Sequence, residues 1–169
     1  DPLGVGPEII AKALEKKAIL RSWKPLIIGD PKFFPSLKKI PILTPKQKGI
    51  STPALSALSL ATRLCLQKKI SALVTAPVNK KQICEDDNIT FLGHTEYLAD
   101  QCHRFYQKKW HPTMMFIGRH ERLALVTTHV PLKDVAHIVN TPLLKKTIKN
   151  VRDGLIHLFG IRKPALALL

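Results

Sequence analysis

Short apolar runs alternate with helix-forming segments along this chain, and that alternation restricts the possible folds more than any other feature. The runs PLIIGD and SALVTAP predict short buried strands, because each is apolar and stops at a glycine or a proline. TMMFIG and RLALVTT predict two further strands, close enough in sequence to be neighbours or a hairpin-like pair. The final ALALL predicts the start of another strand.

The segments between these runs carry the usual signals of helix ends. GPEIIAKALEKKAIL places Pro7 in a first turn, where proline favours a helix N-terminus. STPALSALSLATRLCLQ offers Ser51 or Thr52 as the N-cap, and HTEYLADQC predicts another helix start. The clearest helix, NTPLLKKTIKNVRDGLIHLFG, is predicted to begin with Thr141 as its cap and to be closed by Gly160.

The last of these helices has one apolar face at helical spacing. This face is predicted to contain Leu144, Ile148, Val151, Leu155 and Leu158. Alternating strands and helices predict an α/β sandwich with a largely parallel sheet. The 169 residues, 45% of them hydrophobic, are enough for one sizeable core, and no boundary is predicted within 1–169.

The chain is strongly basic, with 27 lysines and arginines against 12 acidic residues and a formal net charge of +15. This balance favours an anionic partner, which could be a phosphorylated metabolite, nucleic acid or an acidic surface. Paired lysines outside the apolar runs are equally typical of a solvated surface. Only 6% of the residues are aromatic, and no aromatic-basic stripe resembles a base-stacking platform, so nucleic acid is the less favoured partner.

The cysteines and the hydropathy pattern bear on where the protein resides. Cys65, Cys84 and Cys102 form no CxxC pair, and an odd, scattered set indicates reduced thiols and a cytoplasmic protein. No apolar run is long enough to span a membrane, and no signal peptide is recognised.

Three polar clusters follow predicted strands or turns, where ligands gather in open α/β sheets. The glycines and helix start of DPLGVGPE could accept an anion, although such residues mark any tight turn. In TAPVNK, Lys80 could meet a carboxylate or phosphate, or could be a surface lysine. His129 in LVTTHVPL could ligate a metal, although a lone histidine is more often structural and no HxxxH or HExxH spacing supports it.

Five motifs taken together indicate a particular protein family more specifically than any one of them does alone. DPLGVGPEI, VTAPVNK, FLGHTEYLA, MMF and LALVTTHVPLKDV occur in an order and approximate spacing that resemble the 4-hydroxythreonine-4-phosphate dehydrogenase family of pyridoxal phosphate biosynthesis. The resemblance implies an isocitrate/isopropylmalate dehydrogenase-like three-layer α/β fold. It also implies a homodimer in which the partner subunit completes each active site.

The resemblance also implies roles for particular residues. His94 and Thr95 match the family's substrate-contacting pair, and His129 matches one of three histidines that hold a divalent metal of the zinc, magnesium or cobalt class. The implied reaction is oxidation of the C3 hydroxyl of 4-phosphooxy-L-threonine by NAD, followed by loss of the carboxyl group as CO2. No catalytic or NAD-binding residue is assigned. We expect His94, Thr95 and His129 to converge in one cleft near the DPLGVGPE turn.

The departures from the family pattern predict an incomplete enzyme. The chain starts at Asp1 without a methionine and stops in KPALALL, whereas the family's other metal histidines and most of its NAD surface are expected in later segments. We therefore expect a truncated chain that is inactive alone. The alternative is a basic, non-catalytic remnant that binds an acidic partner or nucleic acid. The remaining histidines are predicted to be surface or packing residues: His103, His111, His120, His137 and His157.

Overall fold

The structure is a computed structural model that describes residues 1–46 and 52–169. Contacts along the chain divide it into two compact units, Asp1–Trp110 and His111–Leu169. Both units combine helices with short strands, which confirms the predicted α/β class. Within the described residues, no helix is both long and apolar enough to cross a membrane.

The first unit is mainly helical around one small parallel sheet. Its elements are α1 (Gly6–Leu14), α2 (Lys17–Ser22), β1 (Ile27–Ile28), a 3-10 turn (Pro31–Phe33), β2 (Ile42–Leu43), α3 (Pro53–Leu66), α4 (Lys80–Asp86) and α5 (His94–Tyr106). Strands β1 and β2 pair in parallel, with Ile27 opposite Ile42. The helices predicted from GPEIIAKALEKKAIL, STPALSALSLATRLCLQ and HTEYLADQC are confirmed, the first of them as the two helices α1 and α2.

Side-chain caps fix where α3 and α4 begin. The Thr52 hydroxyl accepts a hydrogen bond from Leu55 N at 3.2 Å, which confirms Thr52 as the N-cap of α3; the alternative cap, Ser51, lies outside the described residues. Asn79 caps α4 by accepting from Gln82 N at 3.2 Å. Both caps satisfy backbone N–H groups that a first helical turn leaves without partners.

Two apolar clusters form the core of the first unit. Ile27, Phe34 and Leu37 are buried beside the parallel strands. The second cluster joins α3, α4 and the segment before α5 through Leu58, Ile83 and Phe91. The second cluster therefore supports the start of both α4 and α5.

The second unit is a hairpin with two helices. Its elements are β3 (Met115–Ile117), β4 (Arg122–Ala124), α6 (Leu132–Ile138) and α7 (Thr141–His157). Strands β3 and β4 are antiparallel, with Met115 opposite Ala124, which confirms the predicted hairpin-like pair. The Asn150 amide donates to His111 O at 2.9 Å and thereby ties α7 to the segment that leads into β3.

The prediction of a largely parallel sheet is wrong for the described residues. Only the β1–β2 pair is parallel there, and neither SALVTAP nor ALALL forms a strand. Val74 is 92% exposed and Leu168 is 64% exposed, so these runs are not buried either. An apolar run becomes a strand only when a neighbouring strand pairs its backbone groups, and composition does not reveal whether that neighbour is present.

Two details of α7 also differ from the prediction. Asn140, rather than Thr141, is the cap, because its extended backbone lets its side chain accept from Leu143 N at 3.0 Å. The helix ends at His157, and Gly160 follows with a φ of +69°, in the left-handed region that favours glycine. Leu158 therefore lies beyond the helix and is 82% exposed instead of on its buried face.

Candidate active site

The N-terminal turn is tied to the start of α4 by the Asp1 side chain. Asp1 Oδ1 accepts from Leu3 N at 3.1 Å, and Oδ2 accepts from Asn79 N at 3.2 Å. One carboxylate thus orders its own turn and also meets the residue that caps α4. The DPLGVGPE and TAPVNK motifs are therefore in direct contact.

Gly6 lets these two motifs approach closely. A Cβ atom at Gly6 would lie 3.2 Å from Ala76 Cβ, which is tighter than most side-chain contacts, and 3.6 Å from Asp1 O, which is an ordinary contact distance. The glycine therefore serves the packing of α1 against the segment before α4. The anion site that the sequence suggested at this turn stays a prediction.

Lys80 contacts the backbone that leads into α5. Its Nζ donates to Leu92 O at 2.7 Å, although the side chain is otherwise exposed. The contact with a carboxylate or phosphate that the sequence suggested for Lys80 stays a prediction. The contact joins the TAPVNK motif to the GHTE motif, which is residues 93–96 of FLGHTEYLA.

His94 and Thr95 are the first two residues of α5, and both are half-buried. The preceding Gly93 is buried at the N-cap position and has no side chain to cap the helix. Tyr97 N donates to Gly93 O at 3.1 Å, which sets the first helical hydrogen bond. The imidazole and the hydroxyl thus stand beside a first turn whose N–H groups favour anions.

The surroundings of His94 favour a neutral imidazole. Its ring meets Phe91 edge-on, with 5.9 Å between the ring centroids and 82° between the ring planes. Burial, together with the nearby Lys80 ammonium, holds the pKa of His94 below its ordinary value. A neutral imidazole can both donate and accept a hydrogen bond, whereas a protonated one can only donate.

His129 lies in the second unit, on the loop between β4 and α6. It is exposed, and its φ of +58° is in the left-handed region, which is uncommon for residues other than glycine. Lys68, Asn88 and Gln107 share this conformation, so it does not distinguish His129 from ordinary turn residues. Within residues 1–46 and 52–169, no group of three or more histidine, cysteine, aspartate or glutamate side chains could hold a metal ion.

The structure thus joins three of the predicted motifs in the first unit, whereas His129 belongs to the other unit. The predicted convergence of His129 with His94 stays a prediction.

Sequence reasoning missed Asp1 as the residue that links the motifs, although its place at the head of DPLGVGPE was a usable signal. Of the other histidines, His103 and His120 are exposed. His111 is half-buried, and its pKa is lowered by that burial and by Lys146.

Comparison with known proteins identifies the family. The family model described as "Pyridoxal phosphate biosynthetic protein PdxA" matches residues 26–169, and the chain belongs to this family. Several of its relatives are named 4-hydroxythreonine-4-phosphate dehydrogenase. The protein of Chromobacterium violaceum is 37% identical over 132 residues, which cover 75% of this chain and 38% of the relative.

Two further relatives of that name match nearly the whole chain. The Trichlorobacter lovleyi protein is 31% identical over 207 residues, covering all of this chain and 59% of its own length. The Azoarcus sp. protein is 30% identical over 194 residues, covering 98% of this chain and 57% of its own. The chain therefore spans about half the length of the curated relatives it matches. These relatives also carry internal residues that have no counterpart among the 169 here.

Proposed function

We propose that this chain forms one part of a 4-hydroxythreonine-4-phosphate dehydrogenase. The complete enzyme would oxidise the C3 hydroxyl of 4-phosphooxy-L-threonine with NAD and release the carboxyl group as CO2, in the biosynthesis of pyridoxal phosphate. The observation that carries the proposal is the GHTE motif at the start of α5, held by Lys80, in a chain that belongs to this family.

His94 and Thr95 are proposed to bind the substrate. The half-buried imidazole can exchange hydrogen bonds with a substrate hydroxyl, because its lowered pKa keeps it neutral at neutral pH. Thr95 adds a hydroxyl at the next position, and the open first turn of α5 favours a negatively charged group. The net charge of +15 also favours a negatively charged substrate, such as a phosphorylated one.

The described residues do not by themselves fit a complete metal site. His129 supplies one imidazole, whereas a site for a zinc-class ion usually takes three or four protein ligands. His129 is proposed as one ligand of three, with the remaining ligands and the NAD surface supplied by family segments outside this sequence. The three-layer fold, the homodimer and the cytoplasmic location implied by the family are part of the same proposal.

The proposal is tested by complementation. The purified chain is assayed for NADH absorbance with 4-phosphooxy-L-threonine, NAD and a divalent metal, alone and after addition of the C-terminal part of a full-length relative. We expect no turnover from the chain alone and measurable turnover from the mixture. Turnover by the chain alone would overturn the proposal that it is an incomplete enzyme.

Matched variants then test the roles of the two residues. His94→Ala and Thr95→Val should abolish most of the complemented activity, whereas His103→Ala, on the exposed side of the same helix, should retain it. Equal activity in all three variants would refute the assignment of the substrate-binding pair.

The net charge of +15 favours one alternative, a non-catalytic module that binds an acidic partner. Such a module would show no complemented activity with any C-terminal part. It would instead bind one particular polyanion more tightly than it binds polyanions in general. The general binding would weaken as the salt concentration rises.

A further inference from the structure

We propose that Lys80 is a positioning residue for the substrate-binding pair. Its ammonium group holds the Leu92–Gly93 turn, so that α5 begins with His94 and Thr95 in their binding orientation. This inference rests on the proposed role of His94 and Thr95 and assigns a further residue to the same site.

The central observation is the hydrogen bond between two segments that are separate in sequence. Lys80 Nζ and Leu92 O lie 2.7 Å apart, in the short range typical of a charge-assisted bond. The accepting carbonyl belongs to the peptide group that joins Leu92 to Gly93, immediately before the helix. A cation on that carbonyl restricts the rotation of the peptide group from which the first turn of α5 starts.

Both ends of this bond are presented by anchored backbone. Lys80 is the first residue of α4, after the capping residue Asn79, whose backbone N–H meets Asp1. Ile83 of α4 is 2% exposed and shares a core cluster with Phe91, one residue before the accepting Leu92. The lysine therefore spans a gap whose two sides are held by the same apolar cluster.

Gly93 leaves the space that the ammonium occupies. A Cβ atom there would lie 3.3 Å from Lys80 Nζ and 3.0 Å from Glu96 Oε2. Its φ of 166° is extended backbone that any residue adopts, so the conformation does not require glycine. The short distances show that the Lys80 ammonium packs directly against Gly93, and they link the glycine that precedes His94 to the lysine of TAPVNK.

The contact also brings a positive charge to His94. The imidazole meets the Phe91 ring, and after burial the Lys80 ammonium is the next cause that lowers its pKa. A neutral His94 exchanges hydrogen bonds, whereas a protonated His94 could only donate them. Lys80 thus supports both the orientation of the pair and a neutral His94 that can donate to or accept from a hydroxyl.

The test is a pH titration of the His94 imidazole by NMR in the intact chain and three variants. Lys80→Met removes the charge, Lys80→Arg keeps it, and Lys81→Met removes the adjacent exposed charge that faces Glu85 at 3.7 Å. We expect Lys80→Met to raise the pKa of His94 and to shift the Gly93 and His94 amide resonances. Lys80→Arg should preserve the lowered pKa, and Lys81→Met should match the unaltered chain.

A purely structural lysine would leave the pKa of His94 unchanged in Lys80→Met, and that result in a folded protein would overturn the inference. If Lys80→Met does not fold, Lys80→Gln serves instead, because it also removes the positive charge and keeps a polar side chain beside Leu92 O. The same rise in the pKa of His94 is expected, and an unchanged value would again contradict the inference.

A second measurement separates this inference from the proposed function. 4-Phosphooxy-L-threonine is titrated into the chain while the His94 and Thr95 amide resonances are followed. Saturable shifts that weaken in Lys80→Met but persist in Lys80→Arg support both ideas. If the unaltered chain shows no shifts, the substrate-binding role fails, and with it the positioning role, even if Lys80 still lowers the pKa of His94.

Discussion

The two units differ in how firmly they hold the residues that the sequence marks as functional. In the first unit, His94 is half-buried at the start of a helix and is flanked by Phe91 and Lys80. In the second unit, His129 is exposed on a loop, and the buried apolar residues among those described are Val151 and Leu155 of α7. A motif therefore becomes an ordered site where a core and polar contacts surround it, and spacing alone does not provide either.

The largest expected effect concerns the cores of the two units. Ile83→Ala should lower the free energy of unfolding by about 2–5 kcal/mol, because it empties a fully enclosed position between Leu58 and Phe91. Leu155→Ala in the second unit should fall at the low end of that range, because fewer buried apolar neighbours surround it. Urea unfolding measures both changes.

The control for this comparison is Ile89→Ala, since Ile89 is in the first unit but 38% exposed. Its effect should be clearly smaller than that of Ile83→Ala. If Leu155→Ala lowers the free energy of unfolding as much as Ile83→Ala does, the two cores do not differ in the way that we expect.

A polar link in the first unit gives the next largest effect. The Asp87 carboxylate accepts from Thr52 N at 2.9 Å and from the Thr52 hydroxyl at 2.8 Å, so it joins the end of α4 to the cap of α3. Asp87→Ala should lower the free energy of unfolding by about 1–3 kcal/mol, because hydrogen bonds to a charged group are lost and Thr52 is buried. Thermal unfolding should show no comparable loss for Asp86→Ala, whose side chain is exposed.

The cap of α7 provides the corresponding test in the second unit. Asn140→Ala should lower stability by about 1 kcal/mol, because the bond to Leu143 N is lost. Thr141→Ala should change stability little, because Thr141 is an exposed helical residue rather than the cap. A larger loss in Thr141→Ala, measured by thermal unfolding, would favour the cap expected from the sequence over the one in the structure.

The pH dependence of stability should distinguish His94 from an exposed histidine. Because the folded-state pKa of His94 is lowered, its contribution to stability is complete above the unfolded value of about 6.5 and is lost as the pH falls through the folded value. His94→Gln should therefore flatten the decline in stability below about pH 6.5. His120→Gln, at an exposed position, is the matched control, and urea midpoints across the pH range are the measurement.

The smallest effect is expected for His129. One exposed imidazole binds a divalent metal weakly, so calorimetric titration of the isolated chain with Zn²⁺ should show no tight site. His129→Ala should alter the titration only slightly. Tight stoichiometric binding that disappears in His129→Ala would show that the chain supplies further ligands, and it would reverse the contrast between the two units.

Helix positions were largely predictable, because their signals are local. Thr52 and the following proline define the start of α3, and the first turn of α5 begins within the quoted GHTE motif. The cap of α7 was missed by one residue, because Asn140 and Thr141 are both good caps and only the backbone conformation distinguishes them. The strands were predicted least well, since SALVTAP and ALALL remain without neighbouring strands.

The sequence by itself determined the cap of α3, the start of α5, the family and the identity of His94, Thr95 and His129 as candidates, because caps and motifs are properties of residues close together along the chain. Only the tertiary structure decided that Asp1 meets Asn79, that Lys80 meets the carbonyl of Leu92 and that Gly93 leaves room for the ammonium. These contacts join residues separated by as many as 78 positions, and their formation depends on how α1, α4 and α5 pack around a shared core. The spacing of residues along the sequence does not predict which of them come into contact.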